Sequence, residues 1–125
     1  MAVKWLDDPE DHDFDAAADY LSMLAEDATV TATVTELRSA KPLYRKAKDI
    51  LRAARLTVLP VDNPHVKSDL AKIEAGKKLS PILLVRGTPA DAMQIADGYH
   101  RVCASFLTEE NTAIPCRLVS WVHPA

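Results

Sequence analysis

The sequence predicts a small α/β (α+β) domain: a mixed sheet with packed helices and two additional N-terminal helices. Three stretches point that way. Pro81–Arg86 is a near-continuous apolar run, the mark of a central strand. Ile95-Ala96-Asp97-Gly98 reads as a strand that turns at its glycine and passes at once into a helix. In that helix Tyr99, Val102, Cys103 and Phe106 recur at the i, i+3, i+4, i+7 spacing of a core-facing stripe. Asp62-Asn63-Pro64 is a helix start, with Asn63 as cap and Pro64 in the first turn.

From the N-terminus, Trp5 to His12 forms an acidic lead-in that Trp5 and Leu6 are expected to pin to the core. Its carboxylates lack the glycine and the periodic spacing of a calcium loop. Asp13 is expected to cap a helix in which Phe14, Ala17, Ala18, Leu21, Leu24 and Ala25 share one face. Thr29–Thr35 alternates like a strand. A strand with Val30, Ala32 and Val34 inward, however, would also turn Glu36 inward and Leu37 outward. Helical spacing groups Val30, Val34 and Leu37 instead, so a second helix is expected, capped by Asp27. Beyond Pro42, the spacing of Ala47, Ile50, Leu51 and Ala54 gives a short helix.

Thr57–Val61 is expected to be a strand, followed by a helix from Pro64 to Ala75 that stops at Gly76. Pro81–Arg86 should pair with Met93–Ala96 across a turn at residues 87–91. The helix after Gly98, a polar loop at 109–111 and a last strand over Ile114–Val122 complete the chain. Residues 1–56 are thus read as an acidic lead-in and helical extension packed on a core domain of residues 57–125.

Composition narrows the class. A chain of 125 residues with 48% hydrophobic and 26% charged residues suits one globular domain. Its apolar runs last only a few residues, so no membrane span is expected. The first residues form neither a secretory nor an organellar signal, and a cytoplasmic protein is expected. Cys103 and Cys116 are expected to be reduced core thiols. The net charge of −3 hides an asymmetry: acids crowd residues 1–27, while Lys41, Arg45, Lys46, Lys48, Arg52 and Arg55 face only Asp49. Such a basic segment can track a phosphate backbone. The net acidity and the scarcity of interleaved aromatics argue against nucleic acid as the partner.

Chemistry concentrates at Gly98. First-turn amides lack intrahelical partners, the helix dipole is positive there, and Arg101 adds a guanidinium. A glycine lets a ligand approach the backbone. The combination describes an anion site, suited to phosphate. Dipole, amides and charge-assisted bonds together give roughly 4 kcal/mol, about millimolar affinity. No base pocket is legible. Asp97 has two readings: a helix cap accepting from the His100 N–H, or a Mg²⁺ ligand or base toward a substrate hydroxyl. His100 is a candidate phosphate donor or general acid. No Cys/His cluster has zinc spacing, and no Gly-x-Ser-x-Gly motif occurs.

Asp97-Gly98-Tyr99-His100-Arg101 resembles the Gly-x-His-Arg element of the ParB/sulfiredoxin-like superfamily. Leu79–Arg86, with Pro81 ahead of its apolar run, resembles the upper strand of those domains. Ile114–Val119 resembles the strand after their phosphate-site helix. The resemblance covers roughly residues 57–122. It implies a cradle for ATP or CTP with Mg²⁺, with Gly98, Tyr99, His100 and Arg101 as cofactor-binding positions. It further implies phosphoryl transfer to a small acceptor and favours His100 as a catalytic residue; Asp97, a carboxylate beside the cradle, is the candidate catalytic base and metal ligand. In the resembling families the helix equivalent to Pro64–Ala75 also serves the phosphates. Ungapped matching puts His65, Ser68 and Lys72 at those positions, on one helical stripe.

Two departures limit what carries over. Tyr99 stands where sulfiredoxin has its catalytic cysteine, so sulfinic-acid reduction is not expected. Residues 1–125 contain no helix-turn-helix segment, so the activity of a DNA partition protein is not expected either. The leading expectation is a protein that binds a nucleotide or phosphorylated small molecule. The alternatives are a non-catalytic protein-interaction module, docking through its acidic N-terminal segment, and nucleic-acid binding or a ParB-like nuclease.

Overall fold

A computed structural model describes residues 2–125. It contains β1 (Lys4–Trp5), α1 (Asp11–Leu21), α2 (Asp27–Ser39), β2 (Leu43–Lys46), α3 (Ala47–Ala54) and α4 (Pro64–Glu74). Then follow β3 (Lys78–Leu79), β4 (Ile82–Val85), β5 (Gln94–Asp97), α5 (Tyr99–Thr108) and β6 (Ala113–Val119). The main sheet has the order β2-β6-β4-β5. Its central pair, β4 and β6, is parallel, and both outer pairs are antiparallel. This is a mixed α/β fold.

The apolar run of β4 follows from its position. Ile82 and Leu84 face one core, shared with Ile50 and Leu51 of α3, Val66 and Ile73 of α4, and Val102 and Cys103 of α5. Leu83 and Val85 point to the opposite face, where they meet Phe14, Ala17 and Leu21 of α1 and Val30 and Leu37 of α2. Alternate side chains of one strand therefore serve two cores, which leaves no polar face. The two N-terminal helices cover the sheet face that α3, α4 and α5 leave open.

The lead-in is anchored at several points. β1 pairs in parallel with β3, and the Leu6 N–H donates to the Leu79 carbonyl at 2.8 Å. Arg117, buried on β6, donates to Asp8 at 2.7 Å and to the carbonyl of Ala40 beyond α2. Trp5 packs against the first core. Among the described residues no helix is long and apolar enough to cross a membrane. Cys103 and Cys116 are free and buried, and burial pushes the Cys116 thiol up to about 12.

Several element expectations are corrected. Thr57–Val61 is no strand: the edge beside β6 is taken by Leu43–Lys46, a strand not foreseen. The 57–60 segment instead lies over α5, with the Leu59 N–H 3.4 Å from the Cys103 sulfur. Glu26 rather than Asp27 precedes α2 as its cap residue. α1 begins at Asp11, so Asp13 is not its cap but its third residue, and its carboxylate accepts from the Glu10 N–H at 2.8 Å. The start of α4 is as expected, with Asn63 Oδ1 accepting from the N–H groups of His65 and Val66.

Candidate functional site

β5 runs straight into α5 through Gly98, whose φ of 110° lies in the left-handed region. Between α4 and this junction opens a polar cleft of about 310 Å³. α4 lends it His65, Ser68, Asp69 and Lys72, while the strand-to-helix junction lends Asp97, Gly98, His100 and Arg101. The stripe on one helix and the turn at the start of another thus converge. The His65 and His100 rings lie 4.7 Å apart, centroid to centroid. Tyr99 turns away: its hydroxyl donates to the Thr57 carbonyl, and it lines a neighbouring hollow instead.

Arg101 requires a correction. It was expected to present its guanidinium to an anion, yet both terminal nitrogens are engaged by carboxylates. Nη2 lies 2.7 Å from Asp97 Oδ2, and Nη1 lies 3.4 Å from Asp13 Oδ1. The guanidinium crosses over Gly98, where an added Cβ would stand 2.8 Å from Nη2 and 2.4 Å from Ile82 Cδ1. The glycine is therefore needed for Arg101 and Ile82 to pack, whatever else approaches the backbone. Asp97 does not cap α5: Gly98 holds the cap position, and no side chain accepts from the first amides there. The Arg101 Nε–H is buried without an acceptor.

These contacts set the protonation of the group. Burial pushes Asp97 up to about 6; Arg101 opposes the shift, and the adjacent Asp13 carboxylate adds to it. Burial acts on Asp13 too, but the Glu10 N–H, Arg101 and Asp97 outweigh it and hold Asp13 below its ordinary value. Asp97 thus gives up its proton only near pH 6, while its neighbour Asp13 ionises at lower pH. Burial, helped by His65 and Arg101, holds His100 below its ordinary value against the pull of Asp69. Burial raises Asp69 although Lys72 Nζ lies 3.8 Å away.

Sequence reasoning missed half of the cleft. Glu10, His12, Lys78 and Ser80 line it, and Asp13 supports it through Arg101. Ser80 Oγ donates to Glu10 Oε1 at 3.0 Å, which joins the lead-in to the segment after β3. His12 stands 3.5 Å from Glu10 and 3.6 Å from Asp13. Asp69 was legible in principle, since it sits beside Ser68 and three residues before Lys72 on a helix already singled out. Lys78 and Ser80 carried no local signal: the packing of β3 against α4 and its pairing with β1 bring that segment here.

Comparison with family models, curated proteins and solved structures gives no match for this chain. The chemistry of the cleft is therefore read from its own residues. Among those described, no group of three or more His, Cys, Asp or Glu side chains is placed to hold a metal ion. Arg101 takes one oxygen, Oδ2, of Asp97, the residue expected to hold Mg²⁺. What the cleft does offer is a concentration of hydrogen-bond donors: the Lys72 and Lys78 ammonium groups, the Ser68 hydroxyl, the imidazoles of His12, His65 and His100, and the amide end of α5. Asp97 adds a carboxyl able to exchange a proton near neutral pH.

Proposed function

We propose that the cleft between α4 and the start of α5 binds the phosphate group of a small molecule. The observation that carries this reading is the meeting of Ser68 and Lys72 on one helix with the first turn of another, in one polar cleft. Donors of this kind suit a phosphate, with each charge-assisted bond worth about 1.5–3 kcal/mol. Arg101 acts as a strut in this scheme. Paired with Asp13 and Asp97, it offsets part of their negative charge, while Lys72 and Lys78 face the remaining carboxylates of the lining, Asp69 and Glu10.

The likeness of Gly98-Tyr99-His100-Arg101 to the ParB/sulfiredoxin-like element supports a nucleotide as one member of the ligand class. The proton-exchanging carboxyl of Asp97 beside the cleft supports phosphoryl transfer to a small acceptor as the reaction. A second reading, a non-catalytic interaction module, draws on the closed pairing of Arg101, which leaves no terminal guanidinium nitrogen free for a ligand.

Thermal unfolding in phosphate separates the two. At ten times its Kd, phosphate stabilises the folded chain by about 1.4 kcal/mol, a rise of about 5 °C in Tm. Lys72→Met is expected to remove most of that rise. An unchanged Tm in tens of millimolar phosphate, at matched ionic strength, would hand the lead to the interaction module.

A further inference from the structure

We infer that the ligand is a phosphomonoester of a planar apolar group, and that this group occupies the hollow beside the phosphate cleft. The inference rests on the phosphate reading and extends it. The hollow measures about 470 Å³, within the range of roughly 300–1,000 Å³ typical of small-molecule sites. Tyr20, Leu56, Met93, Ile95 and Tyr99 give it an apolar lining, and it shares Asp97, Gly98 and His100 with the polar cleft. Asp97, Gly98 and His100 thus form a wall common to the two cavities, and the ligand we infer lies across it.

The lining is arranged for carbon rather than for charge. Tyr20 gives its hydroxyl proton to Gln94 Oε1, and Tyr99 gives its own to the Thr57 carbonyl. Both rings are thus fixed from within the protein, so ordering them costs a guest little. Neither Lys nor Arg lines the hollow, and Asp97, held by Arg101, is its one acidic residue. Ala16 and Ala54 leave the space that larger side chains would fill. Tyr20 and Leu56 remain 40% exposed, large apolar side chains kept in water beside a polar cleft. An uncharged flat ring system is the guest that this surface fits.

The test compares methyl phosphate with 1-naphthyl phosphate by calorimetry, at about pH 7.5 where the phosphate is largely dianionic. The naphthyl ester is expected to bind at least about tenfold more tightly, from the apolar area it removes from water. Ala16→Trp, a change on the exposed side of α1, is expected to cancel that advantage while methyl phosphate binds as before. Leu56→Gln should reduce the advantage without filling the space. Equal affinities for the two esters in the wild-type protein would overturn the inference and leave the phosphate reading standing. So would a naphthyl advantage that survives Ala16→Trp. Binding of neither ester at tens of millimolar would overturn both.

Discussion

Asp13 and Arg101, 88 residues apart in the chain, meet at 3.4 Å beside the cleft. The contact ties α1, on one face of the sheet, to the first turn of α5. It also divides the work of a single carboxylate: Oδ2 accepts from the Glu10 N–H while Oδ1 faces the guanidinium. Asp13→Asn keeps the volume and removes the charge. It is expected to lower stability by about 1.5–3 kcal/mol, the worth of a hydrogen bond to a charged group. Urea unfolding measures this, and a loss under about 0.5 kcal/mol, the scale of an inert surface change, would show that the pair does not hold the helices together.

Gly98→Ala is expected to cost more than Gly76→Ala. Both glycines have positive φ, so both substitutions carry backbone strain of about 1 kcal/mol. At Gly76 the nearest atom to a new Cβ is Lys4 Nζ at 3.6 Å, an ordinary contact with a mobile side chain. At Gly98 it is Ile82 Cδ1 at 2.4 Å, in the core, which adds about 1–3 kcal/mol of overpacking. Equal losses in the two variants would mean that Arg101 and Ile82 do not close on the glycine.

The sequence made local features legible and long-range ones obscure, for a physical reason. The Asn63-Pro64 start, the stop at Gly76, the buried run of β4 and the turn at Gly98 each follow from a few neighbouring residues. The second helix was legible because Leu37 faces the core only in helical spacing. By contrast, Leu-Tyr-Arg-Lys at 43–46 has one half-buried residue and three exposed ones, the pattern of an edge strand with almost no hydrophobic signal. The stripe of His65, Ser68 and Lys72 was found because a helix repeats. Asp13 was read as a cap because Arg101 lies too far along the chain for sequence spacing to suggest the pair.

Asp97 gives the stability a pH dependence of defined sign. Its carboxyl is raised from 3.8 to about 6, so between these values the folded protein holds a proton that the unfolded chain releases. Its contribution is fully present below about pH 4 and is lost as pH rises through 6, with a slope of at most about 1.4 kcal/mol per pH unit. His100, held below its ordinary value, works in the opposite direction, toward greater stability as pH rises. The two separate when wild type is compared with Asp97→Asn. The stability difference, wild type minus variant, should decline across pH 4–6; a flat difference would show that Asp97 titrates normally.

Cys103 and Cys116 should resist a thiol reagent in native buffer and react together after unfolding. Both are buried, and burial raises both thiols, so little thiolate forms at neutral pH. Fast modification of either without denaturant would place that sulfur outside the core.

Phosphate titration followed through the backbone amides tests most directly whether the cleft binds an anion. Added phosphate should shift the N–H signals of Ser68 and Lys72 on α4 together with those of Gly98 to Arg101. All should follow one saturation curve with a Kd of about 1 mM, the affinity of roughly 4 kcal/mol of dipole and charge-assisted contacts. Lys72→Met should weaken that curve about tenfold, the loss of one such contact. Amide signals at the α4 stripe and the Gly98 turn that stay in place up to tens of millimolar phosphate, while the protein remains folded, would contradict phosphate binding in this cleft.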